Sequence, residues 1–293
     1  MFIATLIAAD TFDQGRISEG MDRLAAAGCA PAAGGWLEEG QAADLVFGMS
    51  PDAARAALEG VFPGTDVVVQ SLHTRAKLLL VADMDSTMIT VECIDELADY
   101  AGIKPQIAAV TEAAMRGELD FEAALRERVA LLKGLPASVI ERCLAERVRI
   151  MPGARDLVRT MRARGARCVL VSGGFTRFAG PVAAEIGFDR AIANTLGLEG
   201  DLLDGTVTPP IVGATTKRAT LETETAALGL QPHETLAVGD GANDLAMIAA
   251  AGLGVAYHAK PVVAAAAAAR IDHNDLTALL YAQGIARRDW VID

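Results

Sequence analysis

Residues 77–87 read KLLLVADMDST, an apolar run that ends in two aspartates. After Lys77 the run shows no polar alternation, which predicts a parallel strand covered on both faces. Asp83 and Asp85 are two positions apart, so on an extended chain both carboxylates point the same way from the strand's carboxyl end. Such a pair can hold a hard cation, and one member can attack phosphorus while the other moves protons. On its own the pattern is equally typical of a solvated loop.

The chain beyond this strand alternates short apolar runs with helical segments. The runs are RCVLVSG (167–173), AIAN (191–194), TLAVGD (235–240) and GLGVAY (252–257). This alternation predicts a parallel, doubly wound, Rossmann-like α/β sheet. Residues 88–150 show only helical patterns, so they predict a helical cap inserted after the first strand, above the sheet edge where ligands bind. Residues 196–208 have turn residues between apolar pairs and predict a hairpin.

Residues 1–72 show a different order of shorter elements. Their patterns follow the order strand, helix, strand, strand, helix, strand (βαββαβ), which predicts a small α+β domain with one helical face. The basic stretch from His73 to Lys77 is the predicted linker to a second domain, residues 77–293. No catalytic constellation precedes this linker, so the chemistry is assigned to the second domain.

The charge balance and the cysteines of the 293-residue chain exclude some classes of protein. Lys and Arg total 26 against 38 Asp and Glu, a formal net charge of −12, which argues against nucleic acid or an anionic membrane surface as the main partner. The four cysteines form no CxxC pair, so neither a zinc knuckle nor a redox pair is indicated. Residues 1–10 carry no basic residue ahead of their apolar stretch and do not resemble a signal peptide. We therefore expect a soluble, cytoplasmic protein with reduced cysteines.

Three further motifs stand at or beside predicted strand ends. SGGF, residues 172–175, offers a phosphate a hydroxyl and backbone N–H groups, although a plain strand-to-helix turn also needs glycines. Lys217 begins a predicted helix, where the helix dipole disfavours a cation unless an anion compensates it. GDGAND, residues 239–244, adds Asp240 and Asp244 at a second strand end, either as metal ligands or as a capped turn.

Together the four motifs supply what phosphoryl transfer requires: a nucleophile, metal ligands, hydrogen-bond donors and a positive charge. In this order the chain resembles the haloacid dehalogenase-like phosphatase superfamily over nearly all of residues 77–293. The resemblance implies that Asp83 is the nucleophile and Asp85 the general acid/base. It also implies Mg²⁺ as cofactor, bound by Asp83, the backbone carbonyl of Asp85 and Asp240, with Asp244 nearby. Phosphate would be held by Ser172, Gly173 and Lys217.

The resemblance extends into the cap, where DSTMITVECIDELA (85–98) and MRGELDFEAALRERVALLKGLP (115–136) are similar to the phosphoserine phosphatase branch of that superfamily. It implies hydrolysis of O-phosphoserine, the last step of serine biosynthesis. It also implies contacts to the substrate from five side chains: Glu92 to the ammonium, Arg128 to the carboxylate, Asn243 on the phosphate side, and Met115 and Phe121 as apolar walls.

Part of this reading rests on the residues themselves. Phe121, Leu125, Arg128 and Leu132 follow helical spacing, which places Arg128 on the apolar face of its own helix. A guanidinium there needs either an anionic ligand or an internal ion pair with a neighbouring helix. The sequence leaves both open.

Two other functions remain open at this point. The first is the same chemistry on another small phosphomonoester, by a phosphatase or a phosphotransferase, although Glu92 and Arg128 would then have no role. The second is a regulatory amino-acid-binding protein without catalysis. The first domain resembles ACT-like modules in element order only, and serine sensing, homodimer formation and scaffolding are all compatible with it.

Overall fold

The computed structural model describes residues 1–115 and 118–292, and its account of side chains omits residues 114 and 115 as well. The first part of the chain forms β1 (Phe2–Ala8), α1 (Gln14–Ala26), β2 (Pro31–Glu38), β3 (Ala42–Phe47), α2 (Pro51–Leu58) and β4 (Thr65–Ser71). The four strands make an antiparallel sheet in the order β2-β3-β1-β4. The predicted βαββαβ domain is confirmed.

This small domain has its own core between the sheet and its two helices. Leu6 and Leu45 from the sheet and Leu24 and Leu58 from the helices are fully buried in one cluster. Successive side chains of a strand point to opposite faces of the sheet, so alternate side chains of each strand face the helices. One face of the sheet therefore packs against the two helices.

The second part begins with β5 (Leu79–Ala82), followed by four described helices: α3 (Cys93–Ala101), α4 (Lys104–Met115), α5 (Phe121–Ala130) and α6 (Ser138–Glu146). It continues with α7 (Ala154–Ala163), β6 (Arg167–Phe175), α8 (Thr176–Ile186), β7 (Arg190–Glu199), β8 (Leu202–Thr208) and α9 (Ala214–Ala227). It ends with β9 (Thr235–Gly239), α10 (Leu245–Ala250), β10 (Leu253–Tyr257), α11 (Pro261–Ala266), β11 (Ala269–Ile271) and α12 (Ala278–Ala282). The helical insertion after the first strand is therefore confirmed.

The second sheet has the order β11-β10-β9-β5-β6-β7-β8 and is parallel except for the antiparallel pair β7 and β8. All four residues of the central strand β5 are buried, as its unbroken apolar sequence predicts. The predicted hairpin is present, but AIAN is not a separate strand. It lies within the ten-residue strand β7, which continues from the sheet into the hairpin.

The predicted linker is packed against both parts of the molecule rather than free. Arg75 donates to both carboxylate oxygens of Asp44 in the first sheet and to the carbonyl of Tyr281 in α12. Lys77 is 5% exposed, and its ammonium donates to the carbonyls of Thr74 and His233. The Asp44 carboxylate from the small domain and the carbonyls of Tyr281 and His233 from the second part therefore hold this basic stretch in place.

A buried carboxylate joins the two parts of the fold. Asp66 in β4 is 4% exposed and accepts hydrogen bonds from the backbone N–H groups of Asp272, His273 and Asn274. The side-chain amide of Asn274 donates to Asp66 as well, and also to the carbonyl of Ile7 in β1. These bonds hold the turn after β11 against the small domain. Among the described residues, no helix is both long and apolar enough to cross a membrane.

Candidate active site

Three aspartates meet at the carboxyl ends of two neighbouring strands. Asp83 follows β5, while Asp240 and Asp244 follow β9, and β5 pairs with β9 in parallel. Because parallel strands end at the same edge, one carboxylate oxygen from each of the three lies within 4.8 Å of the others. Asp83 and Asp244 are buried. A glycine is required at position 239, since a Cβ there would lie 2.3 Å from the Asp244 side chain.

Lys217, in the first turn of α9, supplies a positive charge to this cluster. Its ammonium lies 2.6 Å from Asp83 Oδ1 and 2.7 Å from Asp244 Oδ1, and the side chain is fully buried. Burial lowers the pKa of Lys217, but the two carboxylates outweigh burial and hold the pKa above the ordinary lysine value. These carboxylates are the anions that compensate a cation near a helix N-terminus.

One ammonium does not neutralise three carboxylates. Burial, and then the charge of Asp83, raises the pKa of Asp240 to about 6. Burial and Asp83 likewise raise the pKa of Asp244, and Lys217 offsets this only in part. Clustered buried oxygens with excess negative charge fit a hard divalent cation such as Mg²⁺, which takes oxygen ligands and few carboxylates. The ligand atoms and the charge of the cluster therefore fit a metal site.

Asp85 is half-buried beside this cluster. Its Oδ1 atom is buried and has no hydrogen-bond partner among the described residues. Burial is the main cause that raises the pKa of Asp85 to about 8, and the charges of Glu92 and Asp83 add to it. Below that pH the group carries a proton that it can donate. After Asp85 the chain turns at Ser86, whose φ of 54° lies in the left-handed region, a strained backbone of the kind that clusters at functional sites.

The aspartates open into a cavity of about 440 Å³ between the sheet edge and the helical insertion. Asp83, Asp85 and Asp240 line its floor, while Glu92 and Arg128 come from the insertion. Glu92 accepts a hydrogen bond of 2.7 Å from the Ser86 hydroxyl. The cavity thus holds a carboxylate and a guanidinium from the insertion together with the acidic cluster.

Arg128 is half-buried in α5 and has hydrogen-bonding capacity to spare. Its one described hydrogen bond runs from Nε to the carbonyl of Ala124 at 3.2 Å, and it has no ion pair among the described residues. Burial lowers the pKa of Arg128, and Asp95 and Glu92 oppose that effect. Of the two readings left open by the sequence, the internal ion pair finds no partner in the described part of the chain. Leu132, expected on the same helical face, lies beyond the end of α5.

The loop after β6 is shaped by close contacts. The Ser172 hydroxyl is buried and accepts a hydrogen bond from the N–H of Gly174. A Cβ on Gly173 would lie 3.3 Å from the Phe121 ring, so the absence of a side chain lets the cap approach this loop closely. The amide of the buried Asn194 donates to the Gly173 carbonyl at 2.8 Å and fixes the loop from below.

The structure thus brings most of the sequence-predicted residues to one place. The residues that line the cavity are Asp83, Asp85, Glu92, Phe121, Arg128, Gly173, Asp240 and Asn243. Ser172, Lys217 and Asp244 lie directly behind its wall, where all three are buried. The side chain of Met115 lies outside the described residues, so its place stays a prediction.

Some residues of the site were missed in the sequence. Thr87, within the DMDST motif, donates to Asp240 at 3.2 Å, and its place two residues after Asp85 was a signal. Asp95 and Thr111 line the cavity from the insertion and Lys260 lines it from the loop after β10. Asn194 and Lys260 carry no local sequence signal, because only the packing of distant segments brings them to the site.

Comparison with known proteins identifies the family. A family profile described as haloacid dehalogenase-like hydrolase matches residues 80–249, more than half of the chain. The chain belongs to the haloacid dehalogenase-like hydrolases. The predicted membership is therefore confirmed, and the acidic cluster lies within the matched range.

The relatives of this haloacid dehalogenase-like hydrolase include a phosphoserine phosphatase of Streptomyces coelicolor, 47% identical over 83% of this chain and 60% of the relative. The chain thus spans less than two thirds of that relative. A probable phosphoserine phosphatase of Vibrio cholerae, solved in unliganded form, matches with a TM-score of 0.77 and 34% identity over 98% of this chain and 88% of the other. A phosphoserine phosphatase solved as a phospho-aspartyl intermediate analogue matches with a TM-score of 0.65 and 36% identity, over 70% of this chain and 98% of that one.

Proposed function

We propose that the chain hydrolyses O-phosphoserine to serine and phosphate through an aspartyl-phosphate on Asp83. One observation carries this proposal: a single cavity joins the Asp83 cluster to Glu92 and Arg128. The cluster suits a phosphate group, and a carboxylate with a guanidinium suits an amino acid head group. The relatives named phosphoserine phosphatase support the same substrate.

The nucleophile is Asp83. Its Oδ1 atom bonds the Lys217 ammonium at 2.6 Å and the N–H of Met84 at 2.8 Å. The hydrogen bonds that the described residues make to this carboxylate all end on Oδ1, which leaves Oδ2 for attack on phosphorus. Attack forms the bond from Asp83 to phosphorus and breaks the bond from phosphorus to the serine oxygen.

Asp85 handles the proton in both half-reactions. Its protonated carboxyl group gives a proton to the departing serine oxygen, and the resulting carboxylate then takes one from the water that attacks the aspartyl-phosphate. The second step frees phosphate and restores both aspartates. The raised pKa of Asp85, about 8, keeps the donor form populated at neutral pH.

Mg²⁺ would be held by Asp83, Asp240, Asp244 and the backbone carbonyl of Asp85, and when bound it supplies charge that offsets the phosphate oxygens. Ser172, Gly173, Lys217 and Asn243 hold the phosphate group in this proposal. Glu92 binds the substrate ammonium and Arg128 its carboxylate. Phe121 and Met115 cover the bound molecule and exclude bulk water.

This reaction is the last step of serine biosynthesis, and we place it in the cytoplasm. All four cysteines, Cys29, Cys93, Cys143 and Cys168, are buried free thiols, in keeping with a reducing compartment.

The test is phosphate release from a panel of phosphomonoesters, with Mg²⁺ and with a chelator. We expect phosphoserine to be turned over with the highest kcat/KM, and only with the metal. A higher kcat/KM for a sugar phosphate would show that the enzyme acts on another phosphomonoester. No phosphate release from any ester would support a non-catalytic role.

A further inference from the structure

The cavity is strongly acidic for a site that must admit a phosphate dianion. Five carboxyl groups line it among the described residues, from Asp83, Asp85, Glu92, Asp95 and Asp240. The described cations in the same lining are Arg128 and Lys260. The whole chain carries a formal net charge of −12, so an approaching dianion meets repulsion both from the surface and from the cleft.

Lys260 is fixed beside the acidic cluster through its backbone. Its N–H donates to the carbonyl of Asp240 at 3.2 Å, and its own carbonyl accepts from Val263 and Ala264. The side chain is exposed at the cavity and has no ion pair among the described residues. An anchored main chain with a solvated, unpaired ammonium leaves the charge available to a ligand.

Lys260 and Lys217 differ in the task that each can perform. Lys217 is fully buried and already bonded to Asp83 and Asp244. Its charge is therefore shared with these two carboxylates, and being buried it cannot act on a phosphate that is still outside the cavity. Lys260 enters from the loop after β10, on the Asp240 side of the cavity, while Arg128 enters from the cap. The exposed cation on the phosphate side is thus Lys260.

We propose that Lys260 is a substrate-binding residue that attracts the phosphate dianion into the cavity and pairs with it there. The inference rests on the proposed phosphatase function and adds a residue to its binding site. Because the ammonium acts on the free dianion and on the bound ester alike, its loss raises KM more than it lowers kcat. Because it is exposed, salt screens its effect.

The experiment compares Lys260→Met, Lys260→Arg and the control Lys133→Met at the Mg²⁺ concentration that saturates the wild type. Lys133 is also exposed and lies beside Gly205, outside the cavity lining. Its replacement by Met changes the net charge of the chain by the same amount as Lys260→Met. For Lys260→Met we expect kcat/KM for phosphoserine to fall about tenfold at low ionic strength, with kcat within about twofold. The loss should shrink to about twofold or threefold at high salt, Lys260→Arg should restore most of it, and Lys133→Met should match the wild type.

A second readout does not depend on turnover. Calorimetric titration of the Mg²⁺-loaded protein with inorganic phosphate should show weaker binding in Lys260→Met by a similar factor. If the wild type releases no phosphate from phosphoserine but this difference persists, the proposed function fails while the role of Lys260 stands. Equal losses in Lys260→Met and Lys133→Met, a loss that does not respond to salt, or a loss that disappears when more Mg²⁺ is added would each overturn the proposal.

Discussion

Replacing Arg128 by alanine should damage phosphoserine hydrolysis selectively. The guanidinium is half-buried at the cavity and makes one described hydrogen bond, from Nε to Ala124. Its remaining N–H groups can therefore bind a carboxylate in bidentate fashion. A hydrogen bond that involves a charged group contributes about 1.5–3 kcal/mol. Two such bonds, discounted for partial exposure and non-additivity, give about 2–4 kcal/mol.

That free energy corresponds to a loss of about 30-fold to 1,000-fold in kcat/KM. The assay is steady-state phosphate release from phosphoserine and from an aryl phosphate that lacks a carboxylate. The aryl ester should lose less than about fivefold, because it never uses the contact. Arg128→Lys should fall between, since an ammonium cannot form the bidentate pair.

Arg126→Ala is the matched control. Arg126 belongs to the same helix and is exposed, where it pairs with Glu122 at 3.9 Å. It should leave both substrates unaffected. If Arg128→Ala lowers kcat/KM by the same factor for both substrates, Arg128 is structural or holds the phosphate. The proposal that Arg128 binds the carboxylate of phosphoserine is then wrong.

The other predictions concern stability and domain organisation. Asp66→Ala should lower the free energy of unfolding by about 1–3 kcal/mol in urea titrations, because it leaves the part-buried N–H donors of Asp272, His273 and Asn274 without their acceptor; the exposed Asp22→Ala should change it by less than about 0.5 kcal/mol, and equal effects would show that the contact between Asp66 and the turn after β11 does not stabilise the fold. In metal-free protein, Asp85→Asn should raise the melting temperature, and the gain should grow from about pH 4 to pH 8. The sign follows because burial raises the pKa of Asp85 to about 8, so the folded wild type binds more protons than the unfolded chain and loses stability as pH rises; a gain that is constant with pH would contradict this. Residues 77–293 alone should retain kcat per active site, although they lose the contacts of Asp66 and Arg75; folded material without activity would show that the small domain contributes to the active site.

The sequence was sufficient to predict the position of residues that directly follow a strand. Asp83 and Asp240 each end an apolar run, and parallel strands bring their ends to one edge, so local patterns predict both position and proximity. For Arg128 the helical spacing predicted only a place on the apolar face of its helix, and its role toward a carboxylate came from the family resemblance. The sequence made no choice among roles for the small domain, and it did not predict the oligomeric state.

Other features could not be predicted because they depend on the packing of distant segments. Asp66 meets the turn after β11 across about 200 residues of sequence, and nothing in its neighbourhood distinguishes it from a solvated aspartate. The same holds for Lys260, whose backbone bond to Asp240 depends on the pairing of β10 with β9. The packing of the predicted linker could not be predicted either, because the partners of Arg75 and Lys77 come from distant segments of the chain.

The most direct test of the central claim is phosphate release from phosphoserine by the wild type and by Asp83→Asn, with Mg²⁺ present. The account predicts turnover by the wild type and none by the folded variant, because an amide cannot form a hydrolysable acyl phosphate. Activity of Asp83→Asn within tenfold of the wild type, once deamidation is excluded by mass spectrometry, would contradict the assignment of Asp83 as the nucleophile.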